Sequence, residues 1–139
     1  MLRKIRNIMQ DRPTAELPAT ATVQSAARLM LKLKQCATLV VSNAHLEGIL
    51  TEQDIVRRVV AAGLDPASTL LSQVMTPHPD TIGPDEMAIT GLRMMEDGGY
   101  RHLPVVSGNR IIGIISRTDY PGEEKVELEM ERHYWEAVG

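Results

Sequence analysis

The sequence predicts an α/β fold of the α+β kind, made of two tandem copies of one β-α-β-β-α unit. Three observations predict it. The stretch Leu46-Glu47-Gly48-Ile49-Leu50-Thr51-Glu52-Gln53-Asp54 repeats as Ile111-Ile112-Gly113-Ile114-Ile115-Ser116-Arg117-Thr118-Asp119, with Gly on Gly, hydroxyl on hydroxyl and Asp on Asp. The same offset carries Leu17 onto Ile82, Arg28 onto Arg93, Met30 onto Met95 and Val40-Val41-Ser42 onto Val105-Val106-Ser107. Met9 matches Met75 one position out of that register. Such self-similarity is the mark of a repeated structural unit.

Each copy opens with a short extended segment, expected at 14–17 and 79–82. A helix follows. In the first copy Val23, Ala26, Ala27, Met30 and Leu33 recur at helical spacing and form one apolar face. In the second, Met87, Leu92, Met94 and Met95 lie in a helix that Gly98-Gly99 closes. Two short apolar strands come next, expected at 38–41 and 46–50, then at 103–106 and 111–115. Ser107-Gly108-Asn109 suits a tight hairpin turn. A second helix is expected directly after each Thr or Ser, as in 52–62.

The copies are joined by Gly63-Leu64-Asp65-Pro66, which ends a helix and turns the chain. Thr76-Pro77-His78-Pro79 leads into the second copy extended, because a residue before proline avoids the helical region. The expected division is 8–66 for the first copy, 73–121 for the second and 122–139 for an acidic, helical tail. A unit of about 60 residues is marginal by itself. The two are therefore expected to pack sheet to sheet as one folded body.

Composition narrows the function. The chain has 139 residues and a formal charge of −3, which argues against nucleic-acid binding by phosphate neutralisation. No run reaches the roughly 20 apolar residues of a membrane span. The basic start is not followed by a secretory pattern, so a cytoplasmic protein is expected. Cys36 is the one cysteine, which leaves no internal disulfide and no cysteine-based zinc site. His45, His78, His102 and His133 show no helix-ligand spacing, so no metal site is expected. With no Phe and eight Met, the core must be aliphatic and thioether-filled.

The twin Gly-Ile-Leu-Thr-x-x-Asp and Gly-Ile-Ile-Ser-x-x-Asp motifs, with Tyr100-Arg101-His102-Leu103-Pro104-Val105-Val106 and Met75-Thr76-Pro77, resemble the CBS domain, the family named after cystathionine β-synthase. The resemblance spans about residues 8–120. It implies a stand-alone tandem pair with pseudo-two-fold symmetry, often assembled as a homodimer. It also implies an adenosyl ligand between the repeats, of the AMP, ADP or ATP type, with NAD(H) or S-adenosylmethionine as alternatives. The implied role is regulatory and non-catalytic, read out by an unknown effector protein. The alternative is a structural dimerisation module with vestigial sites.

The motif chemistry fits such a ligand. Thr51 and Ser116 stand where a strand becomes a helix, where unsatisfied N–H groups favour phosphate. A carboxylate repels phosphate, so Asp54 and Asp119 suit ribose hydroxyls. Ser/Thr-x-x-Asp is also a capping box, a purely structural device.

Two unequal sites are expected, each joining the corner of one copy to the lead-in of the other. The main site is assigned Asp119, Ser116 and Thr118, with Arg101 and His102 for phosphates and Thr14 and Ala15 for the adenine edge. The weaker site is assigned Asp54, Thr51, Gln53, Cys36, Ala37, Pro79 and Asp80. Cys36 is expected to be a buried small hydrophobe. Arg57-Arg58 is expected to be a solvated helix face. Val126, Met130, Tyr134 and Ala137 of the tail are expected to pack on the module or on a dimer mate.

Overall fold

The computed structural model describes residues 2–138. Its elements are α1 (Ile5–Ile8), β1 (Ala15–Leu17), α2 (Val23–Leu33), β2 (Ala37–Ser42), β3 (His45–Thr51), α3 (Glu52–Asp54), α4 (Leu71–Val74), β4 (Thr76–Pro77), α5 (Ala88–Gly98), β5 (His102–Ser107), β6 (Arg110–Ser116) and α6 (Glu123–Val138). From α3 the chain runs on as a π-helical segment, Ile55–Val60. After β6 it makes one 3-10 turn, Arg117–Asp119.

The repeat is kept residue by residue. β1 lies parallel to β2 with Leu17 beside Val40, and Ile82 bridges in parallel to Val105. β2 and β3 form an antiparallel hairpin with an irregularity at Val40/Val41. β5 and β6 repeat it, with the irregularity at Val105/Val106. α2 starts on Thr22, whose hydroxyl accepts from Ser25 N–H, and stops at Lys34 in the left-handed region. α5 stops at the matching position, where Gly99 holds the same conformation.

The copies differ after Asp119. The first continues as a helix, but the second breaks at Pro121-Gly122 and restarts at Glu123. Tyr120 is drawn into the core, where its hydroxyl donates to the Ala88 carbonyl at 2.6 Å. The expected helix straight after Ser116 is thus one turn only. The following proline lacks the N–H that a continuing helix needs.

The short helix ahead of each copy packs into the other copy. Ile5 and Ile8 of α1 join Leu92, Met95, Leu103, Val105 and Ile115. Leu71 and Val74 of α4 join Val23, Met30, Val40, Leu50 and Val59. β4 likewise adds to the edge of β3, giving the sheet order β1-β2-β3-β4 beside the β5-β6 pair. A third cluster joins the sheets face to face: Leu39 and Ile49 meet Ile111 and Ile114. Each copy therefore completes the core of its mate.

Gly48 and Gly113 make the exchange possible. A Cβ on Gly48 would lie 2.5 Å from Met75 Sδ, and one on Gly113 would lie 2.8 Å from Met9 Sδ. The methionine ahead of one copy fills the space left by the glycine of the other.

α6 spans the acidic tail and docks on α5. Arg93 grips Glu131 with two bonds of 3.0 Å, Arg132 pairs with Glu96, and Arg3 reaches the buried Glu124. Of the two packings expected for Val126, Met130, Tyr134 and Ala137, on the module or on a dimer mate, the one on the module is not made. These side chains are exposed, and the docking face is that of Glu124, Leu128 and Glu131. No helix among the described residues is long and apolar enough to cross a membrane.

Candidate functional site

The ends of β3 and β6 bring both hydroxyl–acid motifs to the junction of the copies. At the first corner, Asp54 Oδ2 accepts from Thr51 N–H at 2.9 Å, and Thr51 Oγ1 accepts from Asp54 N–H at 3.2 Å. At the second, Asp119 Oδ2 accepts from Ser116 N–H at 2.8 Å, and Ser116 Oγ accepts from Thr118 N–H at 3.1 Å. Both motifs are therefore reciprocal caps. Each spends one carboxylate oxygen on the cap and keeps Oδ1 for another partner.

The first N–H of each turn is also spent. Glu52 N–H donates to the Cys36 carbonyl at 3.0 Å, and Arg117 N–H donates to the Arg101 carbonyl at 3.1 Å. The corners therefore leave fewer open backbone N–H groups than the sequence suggests.

A cleft of about 530 Å³ lies on the Asp54 side. Thr51, Gln53, Asp54 and Cys36 of the first copy line it, with Pro79 and Asp80 from the lead-in of the second. Arg101, His102, Ser116 and Thr118 line the same cleft. The sequence groups these four with Asp119, and the structure regroups them. The reason is the face-to-face packing of Leu39 and Ile49 on Ile111 and Ile114, which sets the start of β5 against the corner of the first copy.

Asp119, Thr14, Ala15 and Ala37 do not line this cleft. Ala15 and Ala37 are buried in the ladder, beside Thr38 and Thr51 respectively. Thr14 Oγ1 donates to Glu16 at 2.8 Å. Asp119 Oδ1 faces Arg12 Nη2 at 3.3 Å, and its side chain is only 5% exposed.

Four arginines line the cleft: Arg57, Arg58, Arg101 and Arg117. Arg58 is not a purely solvated residue as the sequence suggests. It donates to the Val74 carbonyl at 2.8 Å and to Thr76 Oγ1 at 3.1 Å, and lies 3.6 Å from Asp54 Oδ1. Arg117 is held by Glu96 at 2.7 Å. Arg57 and Arg101 have no ion pair among the described residues.

Tyr100 is a cleft residue that motif reasoning passes over. Its hydroxyl donates to Asp80 Oδ2 at 2.7 Å, and its ring packs over Gly98. Burial, then the bond to Asp80, pushes its pKa well above the usual phenol range. The bulky side chain ahead of Arg101-His102 is the signal that could have found it.

Cys36 is exposed, not buried as expected. Partial burial of the thiol, then Glu52 beside it, raises its pKa and keeps the sulfur protonated at neutral pH. His102 is mostly enclosed, and its Nδ1 has no hydrogen-bond partner. Burial lowers its pKa against the pull of Glu52, Asp119 and Asp54. No group of His, Cys, Asp and Glu among the described residues could hold a metal ion.

Comparison with known proteins agrees with this architecture. The CBS domain protein PAE2072 of Pyrobaculum aerophilum, in complex with AMP, superposes with a TM-score of 0.80 at 22% identity, over 94% of this chain and 99% of that one. A hexameric CBS-CP12 protein from bloom-forming cyanobacteria gives a TM-score of 0.81 at 26% identity, over 99% of this chain and 83% of the other. CBS domain-containing protein CBSCBSPB3 of Arabidopsis thaliana is 40% identical over 103 residues, 73% of this chain. The chain spans only 18% of that relative's length. A family model, the CBS domain, matches residues 5–61 and 71–120, one match on each interlocked copy. The chain belongs to the CBS domain family.

Proposed function

We propose that this chain is a non-catalytic regulatory module that takes an adenine nucleotide, or another adenosyl ligand, in the cleft on the Asp54 side. The observation that carries the reading is the joining of Thr51 and Asp54 from one copy to Arg101 and His102 from the other around one cavity. Asp54 Oδ1 is the ribose acceptor, because its other oxygen is spent on the cap. Arg101, without an ion pair, is the phosphate donor, and Arg57 extends the positive wall. A guanidinium matches phosphate oxygens in shape and charge. Asp80 and Tyr100 stand at the base end. The AMP complex of PAE2072, alike in fold, supports the ligand class.

A ligand held by both copies stabilises the arrangement in which they face each other this way. It shifts the population toward that state only by its differential affinity, which an effector protein then reads. Calorimetric titration with AMP, ADP, ATP, NAD(H), S-adenosylmethionine and adenosine tests the proposal. Binding of at least one, lost in Asp54→Ala, is expected. Failure of all of them at millimolar concentration rejects it.

Homo-oligomer formation is a second reading, supported by a different observation. Val126, Met130, Tyr134 and Val138 are each more than half exposed on one side of α6. Contiguous apolar surface of this kind marks association. The hexameric CBS-CP12 protein, alike in fold, is an assembly. Sedimentation of the wild type against Met130→Glu/Tyr134→Glu tests it, and a monomeric wild type rejects it.

A further inference from the structure

We propose that His102 links ligand binding in this cleft to proton uptake: a phosphate seated against Arg101 takes a hydrogen bond from an imidazolium that forms as the ligand arrives. The inference rests on the adenosyl-ligand reading above and adds a regulatory property to that site. It starts from a polar atom without a partner. His102 opens β5 opposite Ser116 and lines the cleft, yet its buried Nδ1 meets no donor or acceptor. A buried nitrogen left this way is costly, and such atoms need an explanation.

The charges around the ring come from three places. Glu52 and Asp54 face it from α3, Asp119 from the 3-10 turn after β6, and Arg101 from the preceding residue. The carboxylates favour a protonated ring, while burial and Arg101 oppose it. Burial is the largest influence and lowers the pKa of the free ring from the ordinary imidazole value, favouring the neutral form. Imidazole is the side chain whose charge is most easily switched near physiological pH.

A phosphate changes that balance. It brings between one and two negative charges and strong acceptor oxygens. An opposite charge within about 4–6 Å favours the charged imidazole, and a hydrogen bond to it adds to the effect. The bound ring then takes a proton from solvent and donates to the phosphate from the edge of the ring that faces the cleft. Affinity for phosphorylated ligands rises as pH falls, and the number of protons taken up is set by the ring. Adenosine, which has no phosphate, lacks this linkage.

Two measurements test the inference. The first is calorimetry of AMP binding to wild type and His102→Gln in buffers of different ionisation enthalpy, between about pH 6 and 8. Taking the difference between the two proteins cancels the titration of the phosphate itself. Wild type should take up a fraction of a proton that the variant does not, with affinity rising up to about tenfold per pH unit toward acid. Equal proton uptake in the two proteins overturns the inference while leaving nucleotide binding intact. The second is an NMR titration of the wild-type histidines with and without pyrophosphate. It needs neither a folded variant nor an adenosyl ligand. A His102 midpoint below the ordinary imidazole value, moved upward by pyrophosphate, is the expected result. A midpoint that does not move overturns the inference even if every nucleotide fails to bind. Failure of all adenosyl compounds, with a midpoint that does move, overturns the functional proposal and leaves the proton linkage standing.

Discussion

Arg12 Nη2 stands 3.3 Å from Asp119 Oδ1 and covers a carboxylate that is 5% exposed. The matching Asp54 meets Arg58 from its own helix at 3.6 Å and keeps 16% exposure. Two corners that share one motif thus differ in which arginine reaches them. Arg58 comes from four residues along the same helix and leaves the cleft open. Arg12 comes from the lead-in of the first copy and lies across the oxygen that a ribose would need. A single, part-exposed ion pair is weak, of the order of 0–1 kcal/mol, so a ligand could displace it. Arg12→Ala is expected to show one more ligand-binding event per chain than wild type, abolished by adding Asp119→Ala. Isotherms of equal stoichiometry for wild type and Arg12→Ala would refute this.

Arg101 and Asp54 should separate by ligand. In the proposed function Arg101 meets only the phosphate, whereas Asp54 meets the ribose shared by every adenosyl compound. A hydrogen bond to a charged group contributes about 1.5–3 kcal/mol. Arg101→Ala should therefore weaken AMP or ATP by roughly 10- to 100-fold and leave adenosine within experimental error. Asp54→Ala should weaken all three. Equal losses for adenosine and AMP in Arg101→Ala would place the phosphate elsewhere.

Gly48→Ala and Gly113→Ala should both destabilise, by unequal amounts. On Gly113 the atoms nearest a new Cβ all belong to the Met9 side chain, the sulfur at 2.8 Å. A methionine side chain can swing aside. On Gly48 it meets Met75 Sδ at 2.5 Å and also the Thr76 carbonyl at 3.0 Å. That carbonyl is backbone, fixed by the pairing of β3 with β4. Overpacking typically costs about 1–3 kcal/mol. Gly48→Ala is expected at the upper part of that range and Gly113→Ala at the lower, by urea denaturation. Reversed or equal costs would count against the interlocking described above.

The repeat was legible because one offset governs apolar class, glycine and hydroxyl–acid spacing together, and the ladders keep that offset. Leu17 beside Val40 and Ile82 beside Val105 are the same contact made twice. The sequence also shows that Met9 corresponds to Met75. It does not show that each methionine covers the glycine of the opposite copy, because a linear pattern cannot say which copy a short helix joins. The same limit governs the cleft. Residues 101 and 102 lie beside Ser116 in their own hairpin, and local reasoning keeps them there. Only the packing of Leu39 and Ile49 on Ile111 and Ile114 turns them toward Asp54. The exposure of Cys36 has a similar origin. It precedes β2 at the edge of the cleft, one residue short of the buried strand.

Lys34 and Gly99 close α2 and α5 at equivalent positions, both in the left-handed region with φ of 55° and 72°. A side chain with a Cβ is disfavoured there by roughly 1–2 kcal/mol, and glycine is not. Glycine loses part of this advantage through the greater freedom of its unfolded chain. Lys34→Gly is expected to raise stability by about 1 kcal/mol without affecting ligand binding, since Lys34 does not line the cleft. Thermal and urea unfolding of the variant provide the check, and a loss of stability would contradict it.

The half-buried ring of His102 should also shape the stability of the ligand-free protein. Its folded pKa is lowered, first by burial, so the unfolded chain binds a proton more readily than the folded one. Stability then falls wherever the unfolded state carries more protons. The contribution is fully present above the ordinary imidazole value, declines as pH drops through that value, and levels off once the folded ring is also protonated. The other titratable groups are common to both proteins, so comparison with His102→Gln isolates the ring. Urea denaturation of both at about pH 7.5 and 5.5, either side of the ordinary imidazole range, should show wild type losing more stability on acidification than the variant. An equal or smaller loss in wild type would mean that the folded ring is already charged.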